Sequence, residues 1–310
     1  MIEVRNLTRY YGEFAALTDV SFKVTEGQVI GLLGRNGAGK STTLKILAGL
    51  IPPSSGTVTV DGIDMVAEPH RLRSRIGYLP EDPPVYEDMT VTSFVRHIGR
   101  MKGMSASEVD ARLPEVLATA ALGGRENQVI GTLSHGYRKR VGIAQAVIAN
   151  PRLVILDEPT SGLDPVQIRD MRKVIRDLAK GRVVMVSSHI LREVEQTCDW
   201  LLVLRDGKLV AQGTEEALTA DQNRKMQIVV RGDANTLVEW LTQHPAVEDA
   251  VTRPMSDGTT SAVVTLRADA REQLAADLIA AGFGLRELRG AGDALEEVFL
   301  GLASGKAGAA

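Results

Sequence analysis

No stretch of this chain constrains its fold more than Gly34 to Thr42, GRNGAGKST. It follows directly on the apolar run Val29 to Leu33 and precedes Leu44, Leu47 and Leu50 at helical spacing, so the local order reads as strand, loop, helix. A triphosphate needs many donors close to its oxygens. Gly34, Gly37 and Gly39 let backbone N–H groups converge where a Cβ would obstruct them, with Asn36, Ala38 and Thr42 completing the loop. Lys40 supplies a charge for the β- and γ-phosphates, and Ser41 offers its hydroxyl to Mg²⁺. The helix that starts there turns its positive end toward the anion. Taken alone, the loop says only that the chain is a P-loop NTPase, a class that includes kinases, GTPases and helicases.

A second constellation lies at Leu153 to Pro165, LVILDEPTSGLDP, where an apolar run ends in two acids. That is where a buried strand delivers carboxylates to the edge of a phosphate site. Asp157 is placed to hold the magnesium shell, and Glu158 to orient and deprotonate an attacking water, because phosphoryl transfer needs positioning and charge more than covalent chemistry. Between the runs Leu153 to Leu156 and Val183 to Val186, the residues Ile168, Met171, Val174, Ile175 and Leu178 recur at helical spacing. Strand, helix and strand alternate, as in an α/β core with a largely buried sheet.

The 310 residues exceed the usual size of one domain, and the character of the chain changes after Gly213. An α/β nucleotide-binding domain is expected over 1–218, with Asp61-Gly62 and Asp206-Gly207 marking hairpins that add antiparallel strands to a mixed sheet. A helical insertion occupies about 91–150, its first part, Val91 to Gly124, interrupted by Gly103 and Pro114. From 224 to 303 the pattern predicts strand at Met226 to Val230, helix at Leu237 to Leu241, and strands at Val247 to Val251 and Ala262 to Leu266. Helix at Arg271 to Ala281 and strand at Leu285 to Leu288 complete a βαββαβ order, followed by a last helix at Leu295 to Leu302. That order points to a small ferredoxin-like α+β domain, with 304–310 as a flexible tail.

Composition narrows the partners. Lys plus Arg number 36 against 39 Asp plus Glu, a net charge of -3, so there is no broad basic field for nucleic acid. The single cysteine, Cys198, cannot form a disulfide within the chain and gives no metal motif; it reads as a small buried apolar residue. No apolar stretch approaches the roughly 20 residues that cross a bilayer, and no secretion signal opens the chain. A cytoplasmic protein is expected, and if it serves transport, the membrane path belongs to another polypeptide.

Upstream of the acids lies LSHGY, Leu133 to Tyr137, ahead of a helical run containing Val141, Ile143, Ala144 and Val147. Together, the phosphate loop, LSHGY, LDEPTSGLD and SSHILREVE (Ser187 to Glu195) resemble an ABC ATPase over roughly residues 1–215. The resemblance implies a dimer in which the signature Leu133, Ser134, His135, Gly136 and Tyr137 of one copy closes over ATP held by a second copy or a paralogous cassette. Ser134 and the N–H groups near Gly136 would cap a helix whose positive end faces the partner's γ-phosphate. It also implies that His189 is the switch histidine on the γ-phosphate, that Asp164 is the D-loop aspartate, and that Tyr11 stacks on adenine, with Tyr10 as its rival. His70, His97 and His244 have no such context.

Two departures stand out. In IGYLPEDPPVYEDMTV, which resembles the Q-loop, Glu81 stands where many members carry glutamine; its carboxylate could still reach Mg²⁺ or water. The signature has His135 and Tyr137 in place of glycine and glutamine. These substitutions, and the ending LEEVFLGL, are similar to a bacterial branch of multidrug, antibiotic and gliding-motility exporters paired with type 2 ABC permeases. The resemblance implies an ATPase subunit held at the inner face of the cell membrane by a separate integral-membrane permease. The alternatives are a soluble ABC ATPase acting on ribosomes or nucleic acid, and a regulatory nucleotide-binding module without turnover.

Overall fold

Uninterrupted apolar runs become the middle of a sheet because both faces of each strand are covered. The computed structural model describes residues 1–219, 224–256, 258–268 and 270–290. Contacts divide the chain into two compact units, Met1–Thr214 and the part from Glu215 onward. In the first unit, Ile2–Tyr11 (β1), Phe14–Val24 (β2), Ser55–Val60 (β4) and Ile63–Asp64 (β5) form an antiparallel sheet in the order β2-β1-β4-β5. The second sheet holds Val29–Leu33 (β3), Ile76–Leu79 (β6), Leu153–Asp157 (β7), Val183–Ser187 (β8), Trp200–Arg205 (β9) and Lys208–Gly213 (β10), in the order β10-β9-β3-β8-β7-β6. All its pairings are parallel except β9 with β10. Every residue of β3, β7 and β8 is buried. Both Asp-Gly pairs sit at hairpin tips with positive φ at each residue, 50° and 77° at Asp61 and Gly62, 49° and 75° at Asp206 and Gly207, the turn whose twist matches the flanking strands.

Helices cover the parallel sheet. Lys40–Leu47 (α1) packs on the side shared with the antiparallel sheet, and Pro69–Arg73 (α2) precedes β6. On the other side lie Val91–Met101 (α3), Ala106–Thr119 (α4), His135–Val147 (α5) and Pro165–Leu178 (α6), with Leu191–Glu195 (α7) following β8. Met171, Val174, Ile175 and Leu178 form the buried stripe of α6, each contributing roughly 1.5–3 kcal/mol by removal from water, while Ile168 is only half-buried. Gly103 (φ 86°) ends the turn after α3. Pro114, however, does not interrupt the insertion: it lies inside α4. Pro114 and Asp110, whose carbonyl loses its helical donor, both face solvent, where water replaces the missing N–H. The Ser105–Glu108 capping box and buried Val109, Leu113, Val116 and Leu117 hold the helix on both sides of the proline.

The second unit begins with Glu215–Thr219 (α8) and continues as Lys225–Arg231 (β11), Ala234–Gln243 (α9), Val247–Pro254 (β12), Thr259–Leu266 (β13), Arg271–Ala280 (α10) and Gly284–Gly290 (β14). The strands form an antiparallel sheet in the order β12-β13-β11-β14. Alternate residues Met226, Ile228 and Val230 turn toward Leu237, Leu241, Leu274 and Leu278 of the two helices. His244 Nε2–H donates to Asp277 Oδ2 (3.0 Å) with Trp240 against its ring, so this histidine is a packing element. The predicted helix at Leu295 to Leu302 and the tail 304–310 lie outside the described residues. Among those described, no helix is long and apolar enough to cross a membrane.

Candidate active site

The phosphate loop joins β3 to α1, and two of its glycines, Gly34 and Gly39, are required by close approach, whereas Gly37 (φ 83°) has open space around it. Gly39 takes φ 102°, and a Cβ there would come within 2.8 Å of the Ala16 carbonyl; at Gly34 it would meet the Leu204 carbonyl at 2.7 Å. Lys40 is buried, and its Nζ donates to the carbonyls of Gly34 (2.5 Å) and Arg35 (3.2 Å). Burial lowers its pKa, while the charges of Glu158 and Asp157 pull it back up. Above the loop lies an open cleft of about 260 Å³, lined by Gly37, Gly39, Lys40, Ser41 and Thr42 together with Asn36, Arg35, Tyr11 and Phe14. Tyr11 faces the cleft and Tyr10 does not line it. The Arg9 guanidinium lies 4.9 Å from the Tyr11 ring centre, and Phe14, which sequence reading passed over, is 65% exposed beside it. Ala38 is buried beneath the loop.

The acids arrive at the end of β7. Ser187, at the end of β8, donates its hydroxyl to Asp157 Oδ1 (2.6 Å) and accepts the Glu158 N–H (3.0 Å). Burial, then the neighbouring Asp157, push the Tyr78 phenol up to about 12. Glu158 has φ 47°, the left-handed region an L side chain enters only at a cost, and its carbonyl accepts from Lys139 Nζ at 2.7 Å. Its carboxylate accepts from His189 Nδ1–H at 2.9 Å. Burial raises the Glu158 pKa, opposed by the His189 hydrogen bond and by the charges of His189 and Lys40. A carboxylate with raised proton affinity and an oriented histidine is suited to taking a proton from water. Beneath them, buried Glu193 of α7 accepts from the Thr160 and Ser188 hydroxyls, tying the segment after β7 to that after β8.

The signature residues gather elsewhere. Leu133 is buried, and Ser134 is the exposed N-cap of α5. Its carbonyl accepts from Arg138 N–H (3.0 Å), but, contrary to the expected cap, its hydroxyl makes no bond to the first turn. The extended backbone alone starts the helix, and the hydroxyl stays on the outer surface. Gly136 admits Gln167 of α6, whose Oε1 would lie 2.5 Å from a Cβ, and His135 lies beside Gly162. Tyr137 is half-buried between the guanidinium groups of Arg125 (4.9 Å) and Arg140 (5.3 Å), where a ring face stabilises cations. Asp164 Oδ1 accepts the N–H groups of Val166 and Gln167, both at 2.9 Å, capping α6 ahead of Pro165. Glu81 is exposed just beyond β6 and acts electrostatically on Lys139. The structure thus brings Lys40, Asp157, Glu158 and His189 into one network. Ser134, Gly136 and Tyr137 line a separate small cavity that shares no residue with the phosphate cleft.

Residues 17–161 match the family described as ABC transporter. Over 301 residues, 97% of this chain and 98% of the relative, the sequence is 34% identical to YxlF of Bacillus subtilis (strain 168), described as an uncharacterized ABC transporter ATP-binding protein. The chain belongs to the ABC transporter family, as an ATP-binding subunit. As an ABC ATPase it binds and hydrolyses ATP. It is also 35% identical to the bacitracin transport ATP-binding protein BcrA of Bacillus licheniformis over 251 residues, 80% of this chain and 81% of that one. Among solved structures, an ATP-binding subunit of an ABC transporter superposes with a TM-score of 0.63 at 34% identity, covering 71% of this chain and 92% of its own. A dimeric ATP-binding cassette in a post-hydrolysis state, bound to ADP and Pi, gives a TM-score of 0.61 at 28% identity, covering 69% and 98%.

Proposed function

We propose that this ABC ATPase energises an exporter: two cassettes close on ATP, hydrolysis parts them, and the motion passes to a separate integral-membrane permease that holds the chain at the inner face of the cell membrane. The observation that carries this reading is the network of Lys40, Asp157, Glu158 and His189 on one side and the outward-facing start of α5 at Ser134 on another. Each copy would supply phosphate-loop donors to its own ATP and Ser134 with the N–H groups near Gly136 to its partner's. The names of relatives support export: bacitracin transport for one, and Nod factor export for a protein of Cupriavidus pinatubonensis 35% identical over 235 residues.

Within this reading Glu158 is the general base, His189 senses the γ-phosphate, Tyr11 stacks on adenine and Asp164 relays between the two sites. The Ser41 hydroxyl and the Asp157 carboxylate, with Glu81 beyond β6, are hard oxygen donors of the kind Mg²⁺ takes alongside phosphate. The metal would neutralise charge on the β- and γ-oxygens. The second unit, with its βαββαβ order, supports division into a cassette over 1–218, a ferredoxin-like accessory domain over 224–303 that serves pairing or regulation, and a tail 304–310.

The test is recovery of the chain from native membranes, with the bound polypeptide identified by mass spectrometry. An integral-membrane protein at near-equal amount is expected; ribosomal proteins or nucleic acid in its place would overturn the reading.

A further inference from the structure

Among the described residues, Lys139 is the most deeply buried charged side chain, 1% exposed, and it lies on α5 rather than on the phosphate loop or at the end of β7. An ammonium withdrawn from water is stable only where oxygens surround it. Burial lowers the Lys139 pKa, opposed by the charges of Glu81, Asp82, Glu158 and Asp157, and its Nζ donates to the Glu158 carbonyl at 2.7 Å. That carbonyl belongs to the residue held at φ 47°, whose N–H is fixed by Ser187 and whose carboxylate meets His189. A left-handed non-glycine residue persists only if its neighbours over-determine it. Lys139 supplies one such constraint from α5.

The same helix is seated without slack on the segment that carries Glu81 and Asp82. One turn along from Lys139, Gly142 presses on Leu79 and Pro83: a Cβ there would collide with the buried Leu79 side chain and come within 3.1 Å of Pro83 Cβ. Residues three apart share a helix face, so Lys139 and Gly142 look toward the same segment. At the far end of α5, Gly77 of β6 lies against the Ala146 carbonyl, where no side chain would fit.

We propose that Lys139 is a positioning residue for hydrolysis, which holds the peptide of Glu158 from α5 and ties the direction of its carboxylate to the Leu79–Pro83 segment. This rests on the hydrolytic reading of Glu158. A shift of the 79–83 segment displaces α5 through Gly142, and Lys139 carries that displacement to the carbonyl of the base. The link from Lys139 runs to the main-chain carbonyl of Glu158 and not to the phosphate loop, so the effect is expected on the chemical step rather than on binding.

The experiment compares steady-state MgATP hydrolysis by the full chain with that of Lys139→Met and Lys139→Gln, alongside nucleotide affinity and thermal unfolding. Methionine keeps length without a donor; glutamine keeps an N–H donor. Because displacing a reacting group by an ångström costs up to about 100-fold, Lys139→Met should lower kcat at least about 10-fold with KM within about 2-fold, and Lys139→Gln should recover most of the loss. Wild-type kcat in Lys139→Met, or equal losses in both variants that track the melting temperature, would overturn the role. If Lys139→Met does not fold, Gly142→Ala decides: a kcat lowered at least about 3-fold at constant KM supports the relay, and an unchanged kcat overturns it. A wild-type chain without ATP hydrolysis would overturn the hydrolytic reading as well, whereas hydrolysis by wild type and Lys139→Met alike would overturn the Lys139 role alone.

Discussion

The starts of α1 and α5 are two uncapped helix N-termini that this chain treats in opposite ways. At α1 the cap is Gly39, pinned in the left-handed region against Ala16, and the first helical residue, Lys40, is folded back into the loop it serves. At α5 the cap is Ser134, a residue able to close the helix, whose hydroxyl stays outside while Gly136 and Tyr137 are tied to their own subunit by Gln167, Arg125 and Arg140. Such ends are closed at α3, α4, α6 and α9, where Thr90, Ser105, Asp164 and Asp233 accept first-turn N–H groups, while α2, α7 and α10 also lack a side-chain cap. Orphan donors at a helix start attract anions. On the proposed reading, the donors at the start of α1 serve the ATP of their own copy, whereas those at the start of α5 would serve a partner's.

Substitutions should separate the two halves. Lys40→Ala removes a buried charge that on the proposed reading meets the phosphates, a loss worth about 2–4 kcal/mol, so nucleotide affinity should fall at least about 30-fold in a titration of the isolated chain. Retained affinity would break the comparison at α1. Ser134→Glu adds a carboxylate where the partner's γ-phosphate would approach. Affinity for nucleotide in one copy should then stay within about 2-fold, while MgATP-dependent pairing in analytical ultracentrifugation weakens about 10-fold. Equal weakening of binding and pairing would show that α5 serves its own nucleotide.

Much of the fold was legible because it depends on local pattern. The apolar runs of β3, β7 and β8 end within a residue of where periodicity puts them, and both Asp-Gly hairpins follow from the conformational freedom of those residues. Pro114 misled because local sequence does not say which side of a helix meets water. The candidate site was legible as a group of charges that the fold draws together, Lys40, Asp157, Glu158 and His189. It was not legible where the third dimension decides. Lys139 sits in the basic triplet Arg138-Lys139-Arg140, and the fold buries its middle member with Nζ on the Glu158 carbonyl just beyond β7, a segment distant in sequence. Glu193 was hidden in the same way, its partners Thr160 and Ser188 lying on other segments. The Ser134 hydroxyl shows the converse: a cap residue in the cap position need not cap.

The central claim is tested most directly by placing cysteines at Ser134 and Asn36 of a Glu158→Gln chain, whose turnover should fall at least about 100-fold and hold the joined state. The only native thiol, Cys198, is half-buried with its pKa raised by desolvation, and Cys198→Ser in the same chain removes it from the reaction. With MgATP and a mild oxidant, denaturing electrophoresis should show a disulfide between separate copies, and none with ADP or without nucleotide. Cross-links confined within single chains, or formed equally without ATP, would contradict the account.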